Sequence, residues 1–234
     1  MNETEKTRLK KRLKEVTERE FSIEDFIEFE NTLISWNERI NLVSKNTIPD
    51  MHERHFLDSA QIYPFITGKE LINKNAISIA DMGAGAGFPS IVLAILIKNS
   101  PELKHINICI DAIESIKKKA DFLNYIVQTL DLKVIIRNQR IENITDKKYD
   151  IITARALKGM NELFKYAHKI SYKHTTLIFL KGEKAQEELL DAKKYWTFKE
   201  RLIPSKTSDS GHIVIVKNLQ ALNPNTRKKH EHRL

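Results

Sequence analysis

The sequence predicts an α/β protein built on a mostly parallel sheet, and three observations predict it. After Ile72, short runs rich in β-branched residues alternate with helical runs, the pattern of βαβ units. Of only 7 glycines in the chain, Gly83, Gly85 and Gly87 crowd between one such run and an apolar helix. Two late β-like runs, near Trp196 to Leu202 and His212 to Lys217, stand too close together for a parallel crossover and should form an antiparallel hairpin.

The elements follow in order. From Met1 to about Ile66 the pattern is helical, with Ile23, Phe26, Ile27, Leu33 and Ile34 gathering on one face and Ser22 placed to cap the start. A turn-like stretch from Ser44 to Pro49 precedes a second helical segment holding His55, Leu57, Ile62 and Tyr63, which Pro64 helps to end. Strands are expected at Ala76 to Ala80, Ile106 to Ile113, Lys133 to Arg137, Asp150 to Ala154 and Thr176 to Leu180. Between them lie helices at Pro89 to Lys98, Ser115 to Leu130 and Met160 to Ile170. With the late pair this makes a seven-stranded, Rossmann-like sheet. The expected organisation is a helical N-terminal extension over 1–72, the sheet domain over 73–220, and a basic tail over 221–234 that should be mobile.

Composition narrows the function. Of the 234 residues 41% are hydrophobic, enough for a continuous core, and 39 Lys and Arg against 31 Asp and Glu give a net charge of +8. A positive field steers polyanions toward the surface, a weak pointer to a polyanionic partner that does not by itself select nucleic acid. The longest apolar run, Ile91 to Ile97, is far below the ~18 residues a spanning helix needs. The N-terminus never reaches the apolar core of a secretory signal. A cytoplasmic protein with no membrane partner is expected. The single cysteine, Cys109, excludes an internal disulfide and a cysteine-rich zinc site, and no metal is expected.

The segment from Asp81 to Pro89 carries the chemistry. Glycines concentrated where a strand meets a helix imply positive φ, or a ligand approaching the backbone with no Cβ in the way. Pro89 suits a first helical turn. The dinucleotide fingerprint runs G-x-G-x-x-G so that a pyrophosphate can sit on the helix. Here the spacing is G-x-G-x-G, and Phe88 takes the third glycine's place. That suits a ligand without a diphosphate, and S-adenosyl-L-methionine fits. An acid ending the next strand can accept both ribose hydroxyls. Glu114 is the first choice because Ser115 begins a helix directly after it, with Asp111 as the fallback.

These residues stand in a longer ordered set: Trp36-Asn37 with Asn41-Leu42, Arg54-His55 with Asp58-Ser59, Gly87-Phe88-Pro89, Glu114-Ser115 with Lys118-Lys119 and Phe122-Leu123. Arg140-Ile141-Glu142, Thr153-Ala154-Arg155-Ala156 and Leu180-Lys181-Gly182 follow. In this the chain resembles the ribosomal RNA small subunit methyltransferase G family, bacterial guanine-N7 methyltransferases of 16S rRNA, from about Ile34 to Lys217. It departs from the commonest forms in Ala84 and Ala86, and in Ser90 where a further glycine is usual. The resemblance implies a class I S-adenosylmethionine-dependent methyltransferase fold. It places the cofactor near Gly83, Phe88, Ile141, Glu142 and Arg155, beside Gly85, Gly87 and Glu114 from the loop chemistry, and makes 16S rRNA or the small ribosomal subunit the partner.

Guanine N7 carries an in-plane lone pair and no proton, so no general base is required and catalysis should come from positioning. Arg140, Arg155 and Lys181 are the positioning candidates. Arg54, His55, Lys118, Lys119 and Lys181 are the candidates to meet RNA, with Lys117 beside them. His55 on its helix is expected to be structural or to touch substrate. A monomer is favoured. Two alternatives stand: an NAD-type oxidoreductase, disfavoured by the glycine spacing, and an RNA-binding module with a vestigial pocket.

Overall fold

A computed structural model describes residues 1–68 and 73–222. Its seven-stranded sheet runs β3-β2-β1-β4-β5-β7-β6, with β1 Ala76–Met82, β2 Asn107–Ile113, β3 Val134–Arg137, β4 Tyr149–Arg155, β5 Ser171–Lys181, β6 Trp196–Pro204 and β7 His212–Ala221. Strands β1 to β5 are parallel; β7 lies antiparallel between β5 and β6. The late hairpin and the expected α/β class are therefore present. The chain winds outward from β1 through β2 to β3, then returns to place β4 on the other side of β1. That reversal opens a crevice at the carboxyl ends of β1, β2 and β4.

Helices α1 (Glu3–Thr17) and α2 (Glu24–Asn37) come first. They are followed by a stretch that is π-wound over His52–Leu57 and continues as α3 (Asp58–Ala60), then by α4 (Tyr63–Ile66). Asn2 and Glu5 cap α1 reciprocally: Asn2 Oδ1 accepts from Glu5 N at 2.9 Å, and Glu5 Oε2 accepts from Asn2 N at 2.7 Å. Helices α5 (Ser90–Lys98), α6 (Lys117–Thr129), α7 (Met160–Lys169) and α8 (Ala185–Ala192) flank the sheet.

Leu9, Leu13, Phe26, Phe29 and Leu33 from the N-terminal helices share one hydrophobic cluster with Ile91, Leu93, Phe122 and Leu123. This explains why α5 is apolar all round: it is covered on one side by the sheet and on the other by the N-terminal helices. Phe29 stacks on Phe56 at 5.4 Å and lies 5.4 Å from Phe88. The opposite face of the sheet packs Phe179 and Trp196 against Phe164 of α7.

Two local expectations are corrected. Ile23, not Ser22, is the N-cap of α2, and Ser22 Oγ only reaches Glu24 N at 3.4 Å. Pro64 does not end a helix but opens α4, where its missing N–H is no loss. Helix α8 was not anticipated. The expected 72/73 boundary borders residues 69–72, and most of the expected tail is 223–234; both lie outside the described residues.

A cofactor cleft and a second cavity sharing one wall

A cleft of about 540 Å³ opens at the crevice, lined by Gly83, Gly85, Phe88, Glu114, Ile141, Glu142 and Arg155 among others. The glycine loop is sewn to the end of β2: Gly83 N and Ala84 N both donate to Ile113 O, at 2.9 and 3.0 Å. At Gly85, φ is +58° and an added Cβ would meet nothing closer than 3.8 Å, so the missing side chain leaves the approach to the cleft open. Gly87 lies outside the lining. Its φ is +91°, and a Cβ there would fall 2.3 Å from Ile91 Cγ1, so it serves the close packing of loop on helix.

Glu114 directly follows β2 and is almost fully buried. Its Oε2 accepts from Gly85 N at 2.9 Å and its Oε1 from Ile116 N at 2.7 Å, leaving each oxygen one lone pair for a ligand diol. The fallback Asp111 is not in the cleft. It is fully buried and accepts from Arg137 Nε at 2.5 Å, Lys147 Nζ at 2.9 Å and Tyr149 OH at 2.7 Å, tying β2 to β3 and β4. Burial alone would raise its carboxyl, but these partners hold it below the usual range.

Ile141 opens a short turn over Ile141–Asn143 at the far wall, preceded by Arg140. Glu142 beside it is exposed. Its own backbone N–H and then the Tyr166 hydroxyl keep its carboxyl below the usual range, against a slight opposing effect of burial.

Arg155, at the end of β4, donates through Nη1 to Arg54 O at 2.9 Å and Asp58 Oδ2 at 3.0 Å, and through Nη2 to His55 Nδ1 at 2.5 Å. Its guanidinium lies 5.1 Å from the centre of Phe88, and His55 stacks on the same ring at 5.0 Å. Burial, with Arg155 and Arg54 nearby, pushes His55 down to about 3. The imidazole is therefore neutral: Nδ1 accepts from Arg155, and Nε2 donates to Thr47 Oγ1 at 2.8 Å. It is no phosphate-binding cation, so a contact of His55 with RNA would be made by a neutral ring.

A second cavity, about 740 Å³, shares His55, Arg155 and Ala156 with the first. Arg54 and Lys181 line it, together with Asp58 and the β6–β7 loop residues Thr207, Ser208 and Asp209. The expected basic residues thus part company. Arg54 is exposed on this cavity, whereas Lys181 is bound to Glu188 Oε2 at 2.7 Å and Lys158 O at 2.9 Å. Lys119 and Arg140 line the first cleft; exposed Lys118 lines neither cavity, and Lys117 pairs with Asp121 at 2.8 Å. Sequence reading missed Asp81, wholly buried at the end of β1. It accepts from Ser90 N at 3.1 Å and Thr153 Oγ1 at 3.0 Å, and burial raises it to about 6. An acid two positions before the first of the glycines was the available signal.

A model of the rRNA small subunit methyltransferase G family matches residues 22–214. The chain belongs to that family. The protein named "Ribosomal RNA small subunit methyltransferase G" in Caulobacter vibrioides is 40% identical over 197 residues, 84% of this chain and 85% of that one. The Rickettsia prowazekii protein of the same name is 37% identical over 191 residues, 82% and 91% of the two chains. The Bartonella tribocorum protein is 35% identical over 202 residues, 86% and 89%. A member of this family is an S-adenosyl-L-methionine-dependent methyltransferase of small-subunit rRNA, and the cleft fits the cofactor. Its volume lies in the range of small-molecule sites, Gly85 leaves the backbone bare, and Glu114 offers its remaining lone pairs. Among the described residues no helix is long and apolar enough to cross a membrane.

Proposed function

We propose that this protein methylates the N7 of a guanine in 16S rRNA, in the cytoplasm and as a monomer. The observation that supports this reading best is the shared wall: a nucleotide in the second cavity and a cofactor in the glycine-loop cleft would face each other across Arg155, His55 and Ala156. When bound, S-adenosyl-L-methionine supplies an electrophilic methyl group on a sulfonium. Gly83, Gly85, Phe88, Glu114, Ile141 and Glu142 are placed to hold it, and Gly87 supports the loop from behind.

The residues around the second cavity suit positioning rather than proton transfer. His55 is neutral, with both ring nitrogens engaged, and Arg155 is held by three acceptors on the shared wall. Since N7 has no proton to remove, the site needs orientation and exclusion of water. Arg54 is placed to meet the phosphate backbone, and Lys119 and Arg140 extend the positive rim beside the cofactor cleft. An oxidoreductase reading is disfavoured by Phe88, which is buried in the aromatic cluster where a dinucleotide loop needs glycine.

The test is incubation with methyl-labelled cofactor and three substrates: naked 16S rRNA, partly assembled small subunits, and mature subunits lacking the modification. Label should enter 16S rRNA in at least one of them. Absence of label from all three contradicts the reading.

A further inference from the structure

Gln61 follows α3, is 1% exposed, and lines neither cavity, yet its amide is the hub of a network that ends on both. Its Nε2 donates to Asp58 Oδ1 at 2.8 Å and Ser205 Oγ at 3.1 Å, with Thr207 Oγ1 at 3.3 Å. Its Oε1 accepts from Lys206 N at 2.9 Å. Thr207 Oγ1 in turn donates to Asp58 Oδ1 at 3.2 Å, and the other oxygen of that carboxylate holds Arg155 at 3.0 Å. One side chain with a donor end and an acceptor end thus ties the start of the β6–β7 loop to the base of the shared wall. Residue 206 is fastened again from α1, where Arg12 Nη2 donates to Lys206 O at 3.1 Å. Beyond these anchors, Ser208 and Asp209 are exposed and form the lip of the second cavity.

We propose that Gln61 is a positioning residue for the RNA substrate: it fixes the β6–β7 loop as one wall of the nucleotide cavity and leaves the cofactor cleft unaffected. The proposal rests on the functional reading above. The separation of effects follows from the bonding of Arg155. Without Asp58 correctly held, that guanidinium keeps Arg54 O and His55 Nδ1, so the cofactor side of the wall stands. The β6–β7 loop, by contrast, loses the bonds from Gln61 to Ser205, Lys206 and Thr207, and the direct bond of Thr207 to Asp58 remains as its one tie to that carboxylate. Only an amide satisfies both ends: a leucine removes every bond, and a glutamate sets a second carboxylate against Asp58.

The experiment measures initial rates of methylation of unmodified small ribosomal subunits, and cofactor affinity by calorimetry, for wild type, Gln61→Leu, Thr207→Val and the double variant. Gln61→Leu should raise KM for subunits by about tenfold or more, with the S-adenosyl-L-methionine Kd within about threefold of wild type. The double variant should be no worse than Gln61→Leu alone, because both changes break one network. If Gln61→Leu does not fold, Thr207→Val, half-buried in the loop, carries the same test through its own rise in KM. An unchanged KM, or a loss of cofactor affinity in parallel with it, overturns the proposal. A wild-type enzyme that labels no subunit RNA overturns the functional reading instead.

Discussion

Gly85 and Gly87 stand two residues apart and meet different demands. A side chain at Gly85 would enter open cleft, so Gly85→Val should leave the sheet folded while weakening S-adenosyl-L-methionine binding at least tenfold by calorimetry; wild-type affinity would contradict the loop assignment. Gly87→Ala drives a methyl into Ile91 and should instead cost about 1–3 kcal/mol in urea unfolding. His55 gives a pH signature. Its folded value of about 3 lies below the ordinary 6.5, so the unfolded chain takes up a proton that the folded one refuses. Its stabilising contribution is complete above about pH 6.5 and is lost as pH falls toward 3. Asp81 has the opposite sign: raised to about 6 from 3.8, its contribution is complete below 3.8 and lost as pH rises to 6. Comparing His55→Gln with wild type removes Asp81 from the difference. The melting temperature of wild type should fall further between pH 7 and pH 5 than that of the variant, and equal falls would contradict a neutral, buried imidazole.

At the scale of elements, the strands were legible because β-branched runs such as Ala76 to Ala80 are short, apolar and bounded by turn residues. Their ladder order was not, since nothing local records that β1 is flanked by β2 and β4. Helix α8 was missed although Ala185, Leu189 and Ala192 recur at helical spacing and are buried. Its eight residues were too few for periodicity to stand out after β5. The omission mattered, because Glu188 of α8 engages Lys181 and makes it a held cation rather than a free one. Lys181→Ala should therefore lower kcat/KM on rRNA about tenfold at nearly normal cofactor affinity, with Glu188 still bonded to Met160 N. Lost cofactor binding with normal turnover at saturation would show the role misassigned. The aromatic seam between the N-terminal helices and the glycine loop is also specific to elements. Phe56 contacts Phe26, Phe29 and Phe88, so Phe56→Ala should cost about 3–5 kcal/mol in urea unfolding, and a loss under 1 kcal/mol would contradict the shared core.

For the whole molecule, the cofactor half of the site was readable because glycines and the acid after β2 act through local backbone geometry. The substrate half was not. The second cavity is assembled from the π-wound stretch, β4, β5 and the β6–β7 loop, whose proximity comes from tertiary packing alone. His55 illustrates the limit: its position in the motif was visible, but its neutrality depends first on burial and then on Arg155, 100 positions away. The account joins a cofactor cleft to a nucleotide cavity through one wall, and its central claim is the atom that receives the methyl group. The most direct measurement is nucleoside mass spectrometry of 16S rRNA from unmodified small subunits treated with the purified protein and labelled cofactor. The predicted result is label in 7-methylguanosine at a single site. Label on an exocyclic amine, on a ribose hydroxyl or on a ribosomal protein would contradict it.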